Sequence, residues 1–405
     1  MSLDAAAADL ADHLLEQEFV EVFAHHDADG IAAAAILCHA LFREGRQFRL
    51  RIRPRITAGD LPKDESVLLC DFGSSLADLP DSVMVVDHHM PYFEGEHHVN
   101  PRLSGLDGDR ELSAAGAAYH VAQHIGDNRD LIGLVMLGII GDGQEFSGTN
   151  RDLADDGIAN GYVAPRRGLR LAGRNLTEQL VLAVNPYLDG ISGDETAVRA
   201  LVAGCTGEED VDLEMLLSLI LLKISRTTPL DSMCGLYGNT YGLGREVLDE
   251  AHTLTALIDA CGKAGAGDLA ASLCLRSTAS LPEAWDVAGR HRRAIVEAIR
   301  TIRPLEERLP LYEVENGVVI SDVADALACS RTYTAPVFVV GRKGDWCSIS
   351  ARCPPGVDLD LEALMRRLAE ECGGRGGGHP RRAGAEISPG HLDRFRAGLL
   401  EAIAA

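Results

Sequence analysis

Four apolar runs in the first 142 residues each end in acid or imidazole. Phe19–Ala24 leads into His25-His26-Asp27-Ala28-Asp29-Gly30, Val67–Cys70 into Asp71, Val83–Val86 into Asp87-His88-His89, and Leu131–Gly141 into Asp142. An unpaired charge at the mouth of an apolar core is costly. Four such placements are hard to explain as packing, and together they read as a metal cage.

The runs also set the fold. Val67–Cys70 and Val83–Val86 are continuous and of strand length. With helical connections between them, such runs indicate a mainly parallel sheet covered on both faces. In open α/β sheets functional groups gather beyond the carboxyl ends of the strands, where Asp27, Asp71 and Asp87 fall. Residues 4–18 and 31–43 read as helices, and Leu131–Gly141 as a buried helix that delivers Asp142. Gln47–Ile56 alternates, with Arg49, Arg51, Arg53 and Arg55 on one face. Residues 150–315 are mostly helical: Thr177–Val184, Asp194–Val202, Leu213–Ile224, Glu246–Cys261 and Leu281–Arg300 carry a 3.6-residue period. From Gly317 the texture changes. Val318–Ile320, Pro336–Val340 and Trp346–Ala351 read as strands, Leu359–Cys372 and His391–Ala404 as helices, with a glycine-rich run from Gly373 to Gly378 between those two helices. A chain of 405 residues is long for one core. The expected division is an N-terminal α/β domain with helical completion and connector over residues 1–300, and a smaller α/β domain over 317–405.

Residues two apart in an extended segment point the same way. Asp27 and Asp29, with His25, are therefore expected on one side, and Gly30 allows a tight turn into a helix from Ile31. A helix cap formed by Asp29 explains that motif equally well. Asp71 alone reads as a turn residue. Asp87-His88-His89 is more specific, because three ligand-type residues directly after a strand are uncommon. His88 suits a metal, with Asp87 or His89 orienting it or touching substrate.

The formal charge of −23 opposes long-range attraction to nucleic acid, so any such binding must be local. Ten scattered cysteines without a C-x-x-C pair fit free thiols in a reducing cytoplasm. No run approaches the roughly 20 apolar residues that span a bilayer, and the first residues lack a secretory pattern. A cytoplasmic protein without a membrane partner is expected.

H-x-D-x-D-G, a strand-end Asp, D-H-H and a later G-D, in this order, resemble the four motifs of the DHH phosphoesterases. Gly376-Gly377-Gly378-His379 resembles the glycine-rich signature of the associated C-terminal domain. The His25–Gly30 segment and Asn100-Pro101 are most similar to the archaeal RecJ-like branch. The resemblance implies that His25, Asp27, Asp29, Asp71, His88 and Asp142 are metal ligands. It assigns Asp87, His88 and His89 to catalysis, and Arg352, Gly376, Gly377, Gly378 and His379 to substrate. Oxygen-rich ligands with imidazoles suit two divalent ions, Mn²⁺ first and Mg²⁺ second. Two such ions can clamp a phosphodiester, with Asp71 as the natural bridge.

The expected activity is that of a RecJ-like exonuclease on single-stranded DNA or RNA. Rival readings are a phosphodiesterase or phosphatase of short oligonucleotides, cyclic dinucleotides or nucleoside bisphosphates, and a replisome scaffold for replicative helicase accessory proteins. The glycine run is expected to form a backbone nest for phosphate. The Arg49–Arg55 stripe reads as the charged face of an edge strand or as a hold for a nucleic-acid backbone. Arg290-His291-Arg292-Arg293 reads as a surface face pairing with acids such as Glu297.

Overall fold

Strand β1 (Phe19–His25) carries five buried residues in a row and lies second in a sheet of five parallel strands. The others are β2 (Gln47–Arg53), β3 (Ser66–Cys70), β4 (Val83–Val86) and β5 (His98–Val99), in the order β2-β1-β3-β4-β5. The computed structural model describes residues 2–76, 79–80, 82–206 and 211–404.

One face of the sheet packs on helices. Val20, Val22, Ala24, Leu68, Cys70, Met84 and Val86 share a core with α1 (Leu3–Glu16), α2 (Ala28–Arg43), α3 (Ala114–Ile125) and α4 (Ile132–Gly141). The alanines of α2 favour helix and present little bulk, so α3 and α4 approach it closely. On the other face, Phe23, Val67, Leu69, Val83 and Val85 meet Ile56 and Leu61. This corrects the expectation of helical connections. Among the described residues, the β3–β4 and β4–β5 links contain no helix, and irregular segments cover that face.

Two compact units result. The first comprises Met1–Gly168 and Asn239–Ala288, the second Leu169–Gly238 and Gly289–Ala405. The helical stretch 169–238 thus groups with the C-terminal sheet. Within the mostly helical region two further strands pair, β6 (Val163–Leu169) with β7 (Tyr237–Leu243).

The second unit holds a six-stranded sheet of β8 (Arg303–Pro304), β9 (Leu311–Val314), β10 (Val337–Lys343), β11 (Trp346–Arg352), β12 (Arg375–His379) and β13 (Arg382–Ile387), ordered β12-β13-β11-β10-β9-β8. Val318–Ile320, expected as a strand, turns instead into helix α5 (Ile320–Ser330); three apolar residues cannot separate the two periods, and the alanines that follow favour helix. Only half of the Arg290–Arg293 cluster is a surface face: Arg290 and Arg293 are exposed. His291 and Arg292 are buried, His291 Nε2 meets Asp322 Oδ2 at 3.1 Å, and Arg292 donates to the Leu182 carbonyl at 2.5 Å.

Only the start of the glycine run, Gly373 and Gly374, is a turn. The rest forms edge strand β12, with Gly376, Gly377 and Gly378 paired to Ala385, Gly384 and Ala383. A side chain at Gly376 would lie 2.4 Å from the Met365 carbonyl of helix Leu361–Glu371, so the glycine serves helix-on-strand packing. The glycines expected to hold phosphate therefore lie on a paired edge strand and not in a loop.

Candidate metal centre

The ends of β1, β3 and β4 deliver His25, Asp71 and Asp87-His88-His89 to one edge of the parallel sheet. α2 begins at Ala28, three residues earlier than expected, with Asp27 as its cap: Gly30 N–H donates to Asp27 Oδ1 at 3.0 Å. The extended-segment reading is therefore corrected. Asp27 is the extended cap and Asp29 the second residue of the helix, so the two side chains serve different surroundings. Gly30 lies inside the helix, where a Cβ would meet His25 at 2.7 Å.

Asp27 Oδ2 lies 2.8 Å from His25 Nδ1, which also lies 3.1 Å from Asp71 Oδ2. Asp29 is fully buried and accepts from the Ala114 and Ala115 N–H groups at 2.7 and 2.8 Å, capping α3. His88 Nε2 lies 3.3 Å from Asp71 Oδ1, 3.2 Å from Asp142 Oδ2 and 3.9 Å from Asp29 Oδ2. Three groups follow, each with ligand atoms within 4.8 Å of one another: His25, Asp27 and Asp71; Asp71, His88 and His89; Asp29, His88 and Asp142. Asp71 joins the first two through different oxygens.

Asp71 also carries strain. Its φ is +60°, a left-handed conformation that costs a non-glycine residue of order 1 kcal/mol. Its Oδ1 is buried and has no hydrogen-bond partner among the described residues. Burial, then the carboxylates of Asp142 and Asp71, push the Asp29 carboxyl well above its usual range. A buried orphan oxygen inside a crowd of carboxylates fits a cation site.

Asp87 behaves differently. Burial alone would raise its carboxyl, but His89, His88 and the Ser74 N–H hold it well below the usual range. Oδ1 accepts from the His88 and His89 N–H groups at 2.8 and 3.2 Å and lies 2.7 Å from His89 Nδ1; Oδ2 accepts from Ser74 N–H at 3.0 Å. Its oxygens are occupied by the loop they shape.

Several contributors escaped the sequence reading. Gly108 offers its carbonyl to His88 Nδ1 at 2.5 Å, and Gln144 donates to the same carbonyl at 2.9 Å. Asn100 donates to Ser74 Oγ at 2.8 Å and to the His89 carbonyl at 2.9 Å. Asn100-Pro101 was a signal; Gly108 in Asp107-Gly108-Asp109 reads as an ordinary turn.

In the second unit, Arg352 is largely buried and forks onto Asp325, with Nε–Oδ1 at 2.5 Å and Nη2–Oδ2 at 3.1 Å, while Nη1 donates to Ser350 Oγ at 2.9 Å. Arg382 joins Asp325 Oδ2 at 3.0 Å. Asp325, on α5, is a partner that the sequence did not announce. His379 ends β12 and is partly buried.

A five-stranded parallel sheet bearing acid and imidazole at its strand ends, and a separate mixed sheet carrying the glycine strand, make up a RecJ-like DHH fold. Residues 20–139 match the model of the DHH family, N-terminal domain, and residues 310–405 that of the DHHA1 domain. The chain thus carries a DHH-family N-terminal domain and a DHHA1 domain at its C-terminal side. It is 24% identical to the uncharacterized protein MJ0831 of Methanocaldococcus jannaschii over 93% of this chain and 91% of that one. Its fold is similar to that of RecJ in complex with Mn²⁺ from Thermus thermophilus, at a TM-score of 0.62 and 20% identity over 98% of this chain. The chain spans 53% of that RecJ. It is also similar to CDC45 from Entamoeba histolytica, at a TM-score of 0.63 and 11% identity over 99% of both chains. Among the described residues no helix is long and apolar enough to cross a membrane.

Proposed function

We propose that this chain is a cytoplasmic phosphodiesterase that requires two divalent ions, and a RecJ-like exonuclease that shortens single-stranded DNA or RNA from an end. The observation that carries the reading is Asp71, whose Oδ2 faces His25 and whose Oδ1 faces His88. In this reading His25, Asp27 and Asp71 hold one ion, and Asp71, Asp29, His88 and Asp142 the other. Mn²⁺ or Mg²⁺ suits such an oxygen-rich set. When bound, two such ions supply Lewis-acid polarisation of a phosphodiester and a more acidic water.

The protein's own groups then have separate tasks. Asp87 is a positioning residue that fixes the turn carrying both histidines. The Gly108 carbonyl accepts a hydrogen bond from His88 Nδ1–H, which leaves Nε2 as the ligand atom. His89, anchored by Asp87 through Nδ1, is assigned to substrate contact. Arg352, His379 and the edge glycines Gly376–Gly378 are assigned to holding substrate phosphate, with Asp325 orienting Arg352. The proposed division by role is residues 1–300 for chemistry and 317–405 for substrate, although residues 169–238 and 289–300 pack in the compact unit of the C-terminal sheet.

The test uses 5′- and 3′-labelled single strands with Mn²⁺. A ladder of products shortened from one end is expected, and none from Asp142→Asn. Cleavage of a dinucleotide but not of the long strand would replace this reading with that of a short-oligonucleotide hydrolase. Likeness to the CDC45 fold supports one competitor, a scaffold for helicase accessory proteins. No cleavage of any substrate, with those proteins captured by the intact chain, would favour it.

A further inference from the structure

The first unit holds a second built feature, on the face of the parallel sheet that lacks helices. A cavity of about 510 Å³ opens there, and four arginines line it: Arg49, Arg51, Arg53 and Arg55. Its apolar wall includes Phe23, Ile56 and Leu61. The register of β1 and β2 sets their order. Glu21 pairs with Arg49, Phe23 with Arg51, and His25 with Arg53. Paired residues of neighbouring parallel strands share a face, so the arginine row and His25 lie on one side of the sheet. The row ends one strand away from the proposed metal centre.

Edge protection alone accounts for exposed arginines. It does not account for Glu21, which is 1% exposed beneath them. Arg49 Nη2 contacts Glu21 Oε1, and Arg51 Nε meets Glu21 Oε2 at 3.1 Å. A buried carboxylate is costly unless it is paired and hydrogen-bonded. Here it engages one nitrogen of each guanidinium and steadies both heads at the cavity wall, and a guanidinium has five N–H donors to share. Four arginines stand against three lining carboxylates, Glu21, Asp60 and Glu65. Asp60 is turned into its own loop by the Thr57 N–H and hydroxyl, at 2.8 and 2.6 Å. Arg49 also lies 3.7 Å from Glu65 Oε2, so the lining carries one positive charge in excess, beside an apolar wall, in a chain of net charge −23.

We propose that the arginine row binds the phosphate backbone of a single strand whose end occupies the metal centre, so that the substrate is a chain longer than a dinucleotide. The inference rests on the proposed phosphodiesterase reading and names its substrate class. The row holds successive phosphates, and the apolar wall accepts a base. Alternate residues of a strand lie about 6.6 Å apart, which gives the row a linear, repeating geometry that a lone phosphate does not need.

The test measures binding without hydrolysis. Anisotropy of a labelled long homothymidine strand is titrated in EDTA over a salt series, beside a labelled dinucleotide. Arg53→Glu with Arg55→Glu is the variant of choice, because both side chains are exposed, while the ion pairs that bury Glu21 come from Arg49 and Arg51. A melting curve within a few degrees of the parent's shows that the fold is kept, and Arg53→Gln with Arg55→Gln replaces the pair if it is not. The expected result is at least a tenfold loss of long-strand affinity, with the salt slope reduced by about 1.4, the value for two single-strand phosphate contacts. The dinucleotide loses less. Unchanged long-strand affinity and slope would overturn the proposal, and so would equal losses for both probes, which would mark a nucleotide site instead. Neither readout uses metal, so failure here is separate from failure of the cleavage assay.

Discussion

His88 turns Nδ1 onto the carbonyl of Gly108, 2.5 Å away, and so presents Nε2 to Asp71, Asp142 and Asp29. A carbonyl only accepts, so Nδ1 carries a proton, and Nε2, which the surrounding carboxylates keep protonated in the absence of a cation, is the atom left to bind an ion in place of that proton. Gly108 has no room for more: a Cβ would lie 2.2 Å from the His88 carbonyl. Gly108→Ala is expected to rotate or displace the imidazole. Losing such an orienting partner typically costs ~10–100-fold in metal affinity. Mn²⁺ titration calorimetry on the folded variant checks this, and unchanged affinity would remove Gly108 from the site.

Acid should weaken the first unit through Asp130. Arg43 donates to its two oxygens at 2.8 and 2.9 Å, and Arg276 to Oδ2 at 2.7 Å. Burial alone would raise this carboxyl, but the two guanidiniums hold it well below the usual range. A depressed folded-state value means stability that is present above the unfolded value of about 3.9 and is lost as pH falls toward the folded one. Asp130→Asn is therefore expected to cost roughly 1–3 kcal/mol at neutral pH. The gap between variant and parent should begin to close below about pH 4 and go on narrowing as pH falls further. Urea melts across that range measure it, and a gap independent of pH would place the stability elsewhere.

What the sequence conveyed depended on how local the signal was. The strand ends were legible because apolar runs of strand length stop abruptly at Asp71 and Asp87, and Asp142 follows one long apolar helix. The start of α2 was not, because Ala28-Asp29-Gly30 lacks a distinctive boundary and Gly30 is explained only by His25 pressing on it. The glycine strand is not legible as one because glycine has low strand propensity. Its reason is tertiary, the backbone of helix Leu361–Glu371 lying against Gly376. His291 and Arg292 looked like surface charges, since nothing near them in sequence announces Asp322 or the Leu182 carbonyl.

Arg352 and Asp325 make a planar, two-pronged pair that a lysine cannot copy. Arg352→Lys keeps the charge but frees one Asp325 oxygen from its fork, and Arg382 remains on the other. If the pair orients a phosphate-holding guanidinium, KM should rise roughly tenfold, a loss of about 1.4 kcal/mol. Turnover at saturation should change little. A variant with parental KM would show the pair to be structural only.

Asp142 and Asp87 separate ligation from positioning. Asp142 sits at the C-terminal end of α4 with its side chain 17% exposed and its Oδ2 near His88. Asp87 is 1% exposed and takes four donors from its own loop and from Ser74. In EDTA, Asp142→Asn should melt within a few degrees of the parent. Asp87→Asn should lose ~1–3 kcal/mol, because its amide cannot accept every donor that the carboxylate does. With Mn²⁺ the order should reverse in meaning. The parent gains about 2.7 kcal/mol at a hundredfold excess over its dissociation constant, and Asp142→Asn should lose most of that gain, while Asp87→Asn should keep part of it at a lower baseline. Differential scanning calorimetry of the three proteins, with and without Mn²⁺, gives all the comparisons. Equal metal-induced shifts in parent and Asp142→Asn would mean that Asp142 holds no ion, and the cage would have to be redrawn around Asp71 and His25.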